Sequence, residues 1–285
     1  MTTTTQPTVA QPTVKQLRHR AEIPMLALGI VLTLAVGASV IALMGSGIDT
    51  EPWGTAALGG LLAPAMLFFL IRYVFWNAAS NGVPVTANQF PELHQVYQEL
   101  ALTMGFTPGA DGITRTPQLF VTNGNGELNA SAAKCRIRRG YVMLHSDLLD
   151  VAYTHGDWAT VRAVLAHELG HIKCGHVNLW RAMVAPIMTL LFLDKSLTRA
   201  QEYTADRVAS YYTGTDALGM IVLFAGKNVY QRVHLDDYLA YATSMGQPIW
   251  LRLANFLSDH AVGFRRMTAL GRTRTEGWNV HGKML

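Results

Sequence analysis

From Ile23 to Gly45 the chain is almost unbroken apolar, and no other stretch limits its possible folds as much. About 20 residues of helix suffice to cross the hydrocarbon core of a bilayer. A secretory leader shares the basic-then-apolar layout, but its apolar core is about 7–15 residues, shorter than this run. A second run follows at once, Trp53 to Trp76, interrupted by Pro64 and by Arg72 near its end. Trp53, Tyr73 and Trp76 stand where interfacial aromatics belong, and Arg72 can extend its charge toward headgroups. The pattern predicts a transmembrane helical hairpin over 23–76, with spans 23–45 and 53–76.

Charge orients the hairpin. Lys15, Arg18, His19 and Arg20 precede the first run, whereas the loop Ser46 to Pro52 carries Asp49 and Glu51 and no basic residue. Positive flanks stay inside, so both ends are expected to face the cytoplasm. Residues 1–22 then read as a disordered basic N-terminal tail, and 77–285 as a cytoplasmic domain of an integral membrane protein in a bacterial-type cell membrane. The apolar runs explain why half the residues are hydrophobic and only 15% are charged. The net charge of +4 is spread thinly. Its one dense cluster, Arg136, Arg138 and Arg139, reads as a solvated strand end, with contact to anionic lipid heads as the alternative. No phosphate-binding loop or dinucleotide fingerprint occurs, and nothing favours nucleic acid. Cys135 and Cys174 form no C-x-x-C pair, which suits a reducing compartment without disulfides.

The chemistry concentrates in Ala166 to His176, which holds one His-Glu-x-x-His pattern: His167, Glu168 and His171. Helical residues four apart share a face, so both imidazoles can meet one ion. Catalytic zinc commonly keeps three protein ligands plus a water, and Glu168 is placed to act on that water as general base. Val161, Val164, Leu165 and Ile172 give the helix an apolar side, and Asp157 offers its N-cap. The missing ligand is sought downstream. Glu202 and Asp206 are again four apart: Glu202 reads as the third ligand, and Asp206 as acceptor for the free ring nitrogen of a ligand histidine. Cys174 lies near the ligand face but a turn beyond His171, and reads as structural. His176, judged by helical phase from His167, falls on the wrong side to bind the same ion.

These residues resemble a known family. His167-Glu-Leu-Gly-His-Ile-Lys173 together with Glu202-Tyr-x-Ala-Asp-Arg207 is similar to the membrane-associated gluzincin peptidases, the HtpX-type proteases and CAAX-prenyl endopeptidases. The likeness runs from about Leu93 to Leu270. Leu128-Asn-Ala-Ser-Ala132 resembles the family's Asn-Ala-Phe-Ala segment, with Ser131 where an aromatic is usual. His260 to Leu270 resembles its His-Pro-x-x-x-x-Arg segment, with Ala261 in place of proline and Arg266 matching the arginine. The resemblance implies a zinc endopeptidase with one Zn2+ per chain. It makes Asn129 and Arg266 candidates for substrate or oxyanion contact. Its implied partners are the lipid bilayer and protein or peptide substrates, damaged membrane proteins among them in a quality-control role. The competing class is a non-hydrolytic membrane protein that keeps the metal for structure or partner binding.

The remaining elements frame this site. Phe90-Pro-Glu-Leu opens a helix that runs to about Gly105, with Leu93, Tyr97, Leu100 and Met104 at helical spacing. Strands are predicted at Pro117–Thr122, Leu128–Cys135 and Tyr141–His145, forming a small antiparallel sheet whose edge can bind extended peptide. The apolar run Val184 to Leu193 is too short to span a bilayer and fits a buried helix or a segment dipping into the membrane surface. Asp216 to Leu270 reads as short amphipathic helices. The expected fold class is mainly α (α+β): a transmembrane hairpin, then a zincin-like, mostly helical metallopeptidase domain with a small sheet.

Overall fold

A computed structural model describes residues 13–46, 51–108, 115–136, 139–246, 248–258 and 260–284. The chain is mostly helical with one small sheet, as the sequence pattern predicts. The sheet has four strands: β1 (Val83–Pro84), β2 (Gln118–Thr122), β3 (Ala130–Arg136) and β4 (Arg139–His145), in the order β1-β2-β4-β3. It is mixed, which corrects the antiparallel expectation. β3 and β4 form an antiparallel hairpin, yet β4 lies parallel to β2, with Leu119 opposite Val142 and Val121 opposite Leu144. Both β2 and β4 bury apolar side chains on the core side, so β4 takes the central place and β3 is left at the edge. Residues 137–138 and the side chains of Arg136 and Arg139 lie outside the described residues, and with them the predicted basic cluster.

The N-terminal part holds α1 (Val14–Leu17), α2 (Glu22–Gly45) and α3 (Glu51–Asn81). Among the described residues, α2 is the one helix long and apolar enough to cross a membrane. Val31, Leu34, Ile41 and Met44 along it are more than half exposed. The loop residues 47–50 and the side chains of 51–65 lie outside the described residues, so the second predicted span has a described backbone but not its full surface. The C-terminal end of α3 docks on the sheet through Phe75, whose ring lies 4.6 Å from that of Tyr141. Residues 13–22 differ from the expected disordered tail. Leu17 is buried in the main core, and Arg207 holds the arm by donating to the carbonyls of Leu17 and Gln16.

The domain is built around α6 (Trp158–Cys174) and α8 (Asp194–Thr213), with α4 (Pro91–Thr103) and α5 (Ser146–His155) also packed on α6. Leu93, Tyr97 and Leu100 of α4 join Val161, Leu165 and Leu169 of α6 in one core. Between α6 and α8 comes α7 (Leu179–Leu190), the predicted apolar segment. Val184 and Met188 are buried against Met25, Leu26 and Ile30 of α2, while Trp180, Leu190 and Phe192 are exposed. Among the described residues six further helical segments follow α8, the last being Gly263–Glu276, which packs back on α8.

Candidate metal centre

Helix α6 starts and stops where its sequence tells it to. The Asp157 carboxylate caps it, accepting from the Thr160 N–H at 2.9 Å. It ends at Gly175, whose φ of 78° is a left-handed geometry that glycine adopts without strain. Within it, Gly170 separates Glu168 from His171. A Cβ there would lie 3.2 Å from Val208 Cγ1 of α8, tighter than ordinary contact. The missing side chain lets α8 approach α6 closely, and so brings Glu202 to the two histidines.

Three donor atoms converge. His167 Nε2 and His171 Nε2 are 3.1 Å apart; Glu202 places Oε2 3.5 Å from the first and Oε1 3.4 Å from the second. Ligands about 2.0–2.1 Å from a tetrahedral zinc stand about 3.3–3.4 Å from one another. The three spacings fit such an ion. The tautomers fit as well. His167 Nδ1 lies 2.9 Å from Asp206 Oδ1, so its proton belongs on Nδ1 and its Nε2 lone pair turns inward. Glu168, on the next residue, is 8% exposed and close enough to Arg266 to stabilise its charge.

The electrostatics are those of a buried anionic pair held by one guanidinium. Arg266 donates to both oxygens of Asp206, at 2.6 and 2.9 Å, and its Nη1 is 3.2 Å from Glu202 Oε2. Burial alone would raise both carboxyl pKa values. Arg266 and the imidazoles outweigh it, holding Asp206 below and Glu202 well below the ordinary carboxylate range. Burial likewise opposes protonation of His167, but Asp206 and Glu202 push its pKa up to about 10, so an arriving metal must displace a proton.

The other sequence candidates separate. Arg266 is drawn into the carboxylates of Asp206 and Glu202. Asn129, just before β3, is exposed and donates to Glu127 at 3.2 Å. Cys174 is a buried free thiol whose pKa burial pushes up to about 11, which suits packing. Two histidines enter the site unforeseen. His260 Nδ1 is 3.2 Å from Glu202 Oε1. His176 Nδ1 is 2.8 Å from His171 Nδ1. The proximity of His260 was foreshadowed only by its place in the segment containing Arg266. For His176, the signal was the helix-stopping Gly175, after which helical phase no longer applies.

Residues 87–193 match the family model described as Peptidase family M48, a segment that includes α6 and stops short of Glu202. The chain is 28% identical over 155 residues to a Protease HtpX homolog of Dictyoglomus thermophilum, across 52% of this chain and 47% of that one. It is 29% identical over 138 residues to the Plastoglobule-localized metallopeptidase 48, chloroplastic, of Arabidopsis thaliana, across 48% of this chain and 33% of the relative. The matched region thus spans less than half the length of either curated relative. No solved structure matches the chain. With the paired motifs of α6 and α8 beside these comparisons, the chain is similar to HtpX-type proteins, and its residues 87–193 resemble a peptidase family M48 domain.

Proposed function

We propose that the protein is a membrane-anchored, zinc-dependent endopeptidase. The observation that carries this is the convergence of His167 Nε2, His171 Nε2 and the Glu202 carboxylate, with Glu168 beside them. Zinc held by these three would polarise the scissile carbonyl and lower the pKa of a water to about 7. Glu168 would serve as the general base that takes a proton from the attacking water and returns it to the leaving amine. Asp206 keeps His167 in its ligand tautomer, and Arg266 balances the buried carboxylates. β3, the sheet edge packed beside α6, offers free backbone groups to an extended peptide, a mode of binding that reads side chains weakly.

Further readings rest on the sequence and on its resemblance to the relatives. The chain divides into the arm 1–22, a membrane hairpin 23–76 and the catalytic domain 77–285, with that domain in the cytoplasm. Its substrates are proteins or peptides, and turnover of damaged membrane proteins suits an enzyme tethered to the bilayer. The test is the full chain in detergent, assayed with casein or a fluorogenic peptide, with and without a zinc chelator. Glu168→Gln should keep about one zinc per chain and lose at least about a hundredfold in activity, because an amide cannot accept the proton. A variant cleaving at the wild-type rate removes Glu168 from the mechanism, and chelator-insensitive activity removes zinc.

A further inference from the structure

An imidazole that binds metal through Nε2 carries its proton on Nδ1, and that N–H needs an acceptor to fix the ring. His167 has Asp206 for this purpose at 2.9 Å. Among the described residues, no carboxylate takes that position for His171. Its Nδ1 meets His176 Nδ1 at 2.8 Å, and His176 Nε2 lies 3.2 Å from Glu22 Oε1. Since a carboxylate only accepts, His176 donates through Nε2, and a neutral ring then presents Nδ1 as acceptor to His171. Every proton in the chain His171–His176–Glu22 is thereby placed, and it leaves His171 Nε2 free to face Glu202.

Glu22 is the first residue of α2, the apolar membrane helix, and only 1% of it is exposed. Three groups hold it. Thr204 Oγ1 lies 2.5 Å from its second oxygen, His176 meets its first, and Arg18 pairs with it. Thr204 is on α8 between Glu202 and Asp206, and its hydroxyl accepts from the His19 N–H at 2.9 Å. Arg18 also donates to the Cys174 carbonyl at the end of α6. About two turns above Glu22, Gly29 lies against Met188 and Val184 of α7, so α2 is held on α7 as well. A charged group this deeply buried is seldom retained without a partner that needs it.

We propose that Glu22, at the root of the membrane helix, is a positioning residue that orients the His171 imidazole through His176, so that the anchor supplies part of the metal site. This rests on the reading of His171 as a metal ligand. Interposing an imidazole between ligand and carboxylate keeps the polarisation of a direct pair in weaker form, because each hydrogen bond strengthens the next. The N-terminal arm is then a component of the centre as well as a tether.

The experiment measures zinc affinity of the full-length protein in detergent by chelator competition, for wild type, His171→Ala, Glu22→Ala, His176→Ala, the Glu22/His176 double variant and Leu17→Ala. His176→Ala and Glu22→Ala should each weaken zinc binding by roughly ten- to a hundredfold. The double variant should bind no more weakly than His176→Ala, since Glu22 acts through that ring. Leu17→Ala loosens the packing of the arm without touching the relay, and should lower the unfolding temperature while leaving zinc affinity near wild type. Affinities of Glu22→Ala and His176→Ala equal to wild type would overturn the proposal while leaving the metal site intact. So would independent, multiplying losses in the double variant, or a loss in Leu17→Ala as large as theirs. If wild type and His171→Ala bind zinc alike, the metal-site reading fails and this proposal with it.

Discussion

Deleting the Arg266 guanidinium leaves two buried carboxylates with one cation fewer. The guanidinium makes two hydrogen bonds to Asp206, at 2.6 and 2.9 Å, and an ion pair with Glu202 at 3.2 Å. The three side chains are 8%, 3% and 4% exposed respectively, so water cannot take over the charges. Removing one partner of such a buried pair costs about 3–5 kcal/mol. At about 2–4 °C per kcal/mol for a large domain, Arg266→Ala should unfold about 6–20 °C below wild type in the metal-free protein. The pH dependence has a definite sign. Asp206 and Glu202 have folded pKa values below their unfolded ones, which are about 4. The stability they confer is therefore present above pH ~4 and is lost as pH falls through the folded values. The variant loses the charge that depresses them, so its deficit should be largest near neutral pH and shrink toward pH ~4. The assay is thermal unfolding of the full chain in detergent with chelator at both pH values. Arg266→Lys should recover part of the loss, since an ammonium restores charge but not the two-point fit. A midpoint for Arg266→Ala that matches wild type at neutral pH would refute the reasoning.

Two further outcomes distinguish residues that the sequence presents as similar pairs. Glu202→Ala should lose zinc and activity together, leaving two histidines for an ion that takes three protein ligands, whereas Asp206→Asn should weaken zinc roughly 10–100-fold and regain activity when zinc is added. Normal zinc binding by Glu202→Ala would move the third ligand elsewhere. For topology, cysteines introduced singly by Ser46→Cys and Asn81→Cys should react differently with an impermeant thiol reagent on intact cells. Labelling at position 81 and not at 46 would invert the proposed orientation.

The parts of the site that the sequence reveals are those in which one helix carries the geometry. His167 and His171 are one turn apart on a helix bounded by Asp157 and Gly175, and Glu202 and Asp206 repeat that spacing on α8. Local periodicity is enough for each pair. Strand order is a different kind of information. The β3–β4 hairpin is visible as two consecutive extended runs, but the insertion of β4 between β2 and β3 depends on which strand buries both of its faces, and the chain holds no local mark of that. Arg266 illustrates the intermediate case. Resemblance places its segment near the site, but only the packing of the last helix on α8 shows that its charge is spent on Asp206 and Glu202.

His176 shows how a sound local rule fails once its premise ends. Helical phase puts it on the far side from His167, provided that α6 continues through residue 176. The helix stops at Cys174, and at Gly175 the backbone turns left-handed, which carries His176 back over His171. Its partner is still less visible, because Glu22 precedes an apolar run and looks like the solvated edge of a basic tail. What makes it otherwise is Leu17, buried in the main core, and Arg207, whose donors fix the carbonyls of Gln16 and Leu17. These contacts seat the arm on α8 and leave Glu22 no route to solvent. A carboxylate confined there needs hydrogen-bond donors, and Thr204, His176 and Arg18 supply them. The burial of Glu22 is thus a consequence of anchoring the arm, and the same burial sets it one imidazole away from the candidate ligand His171.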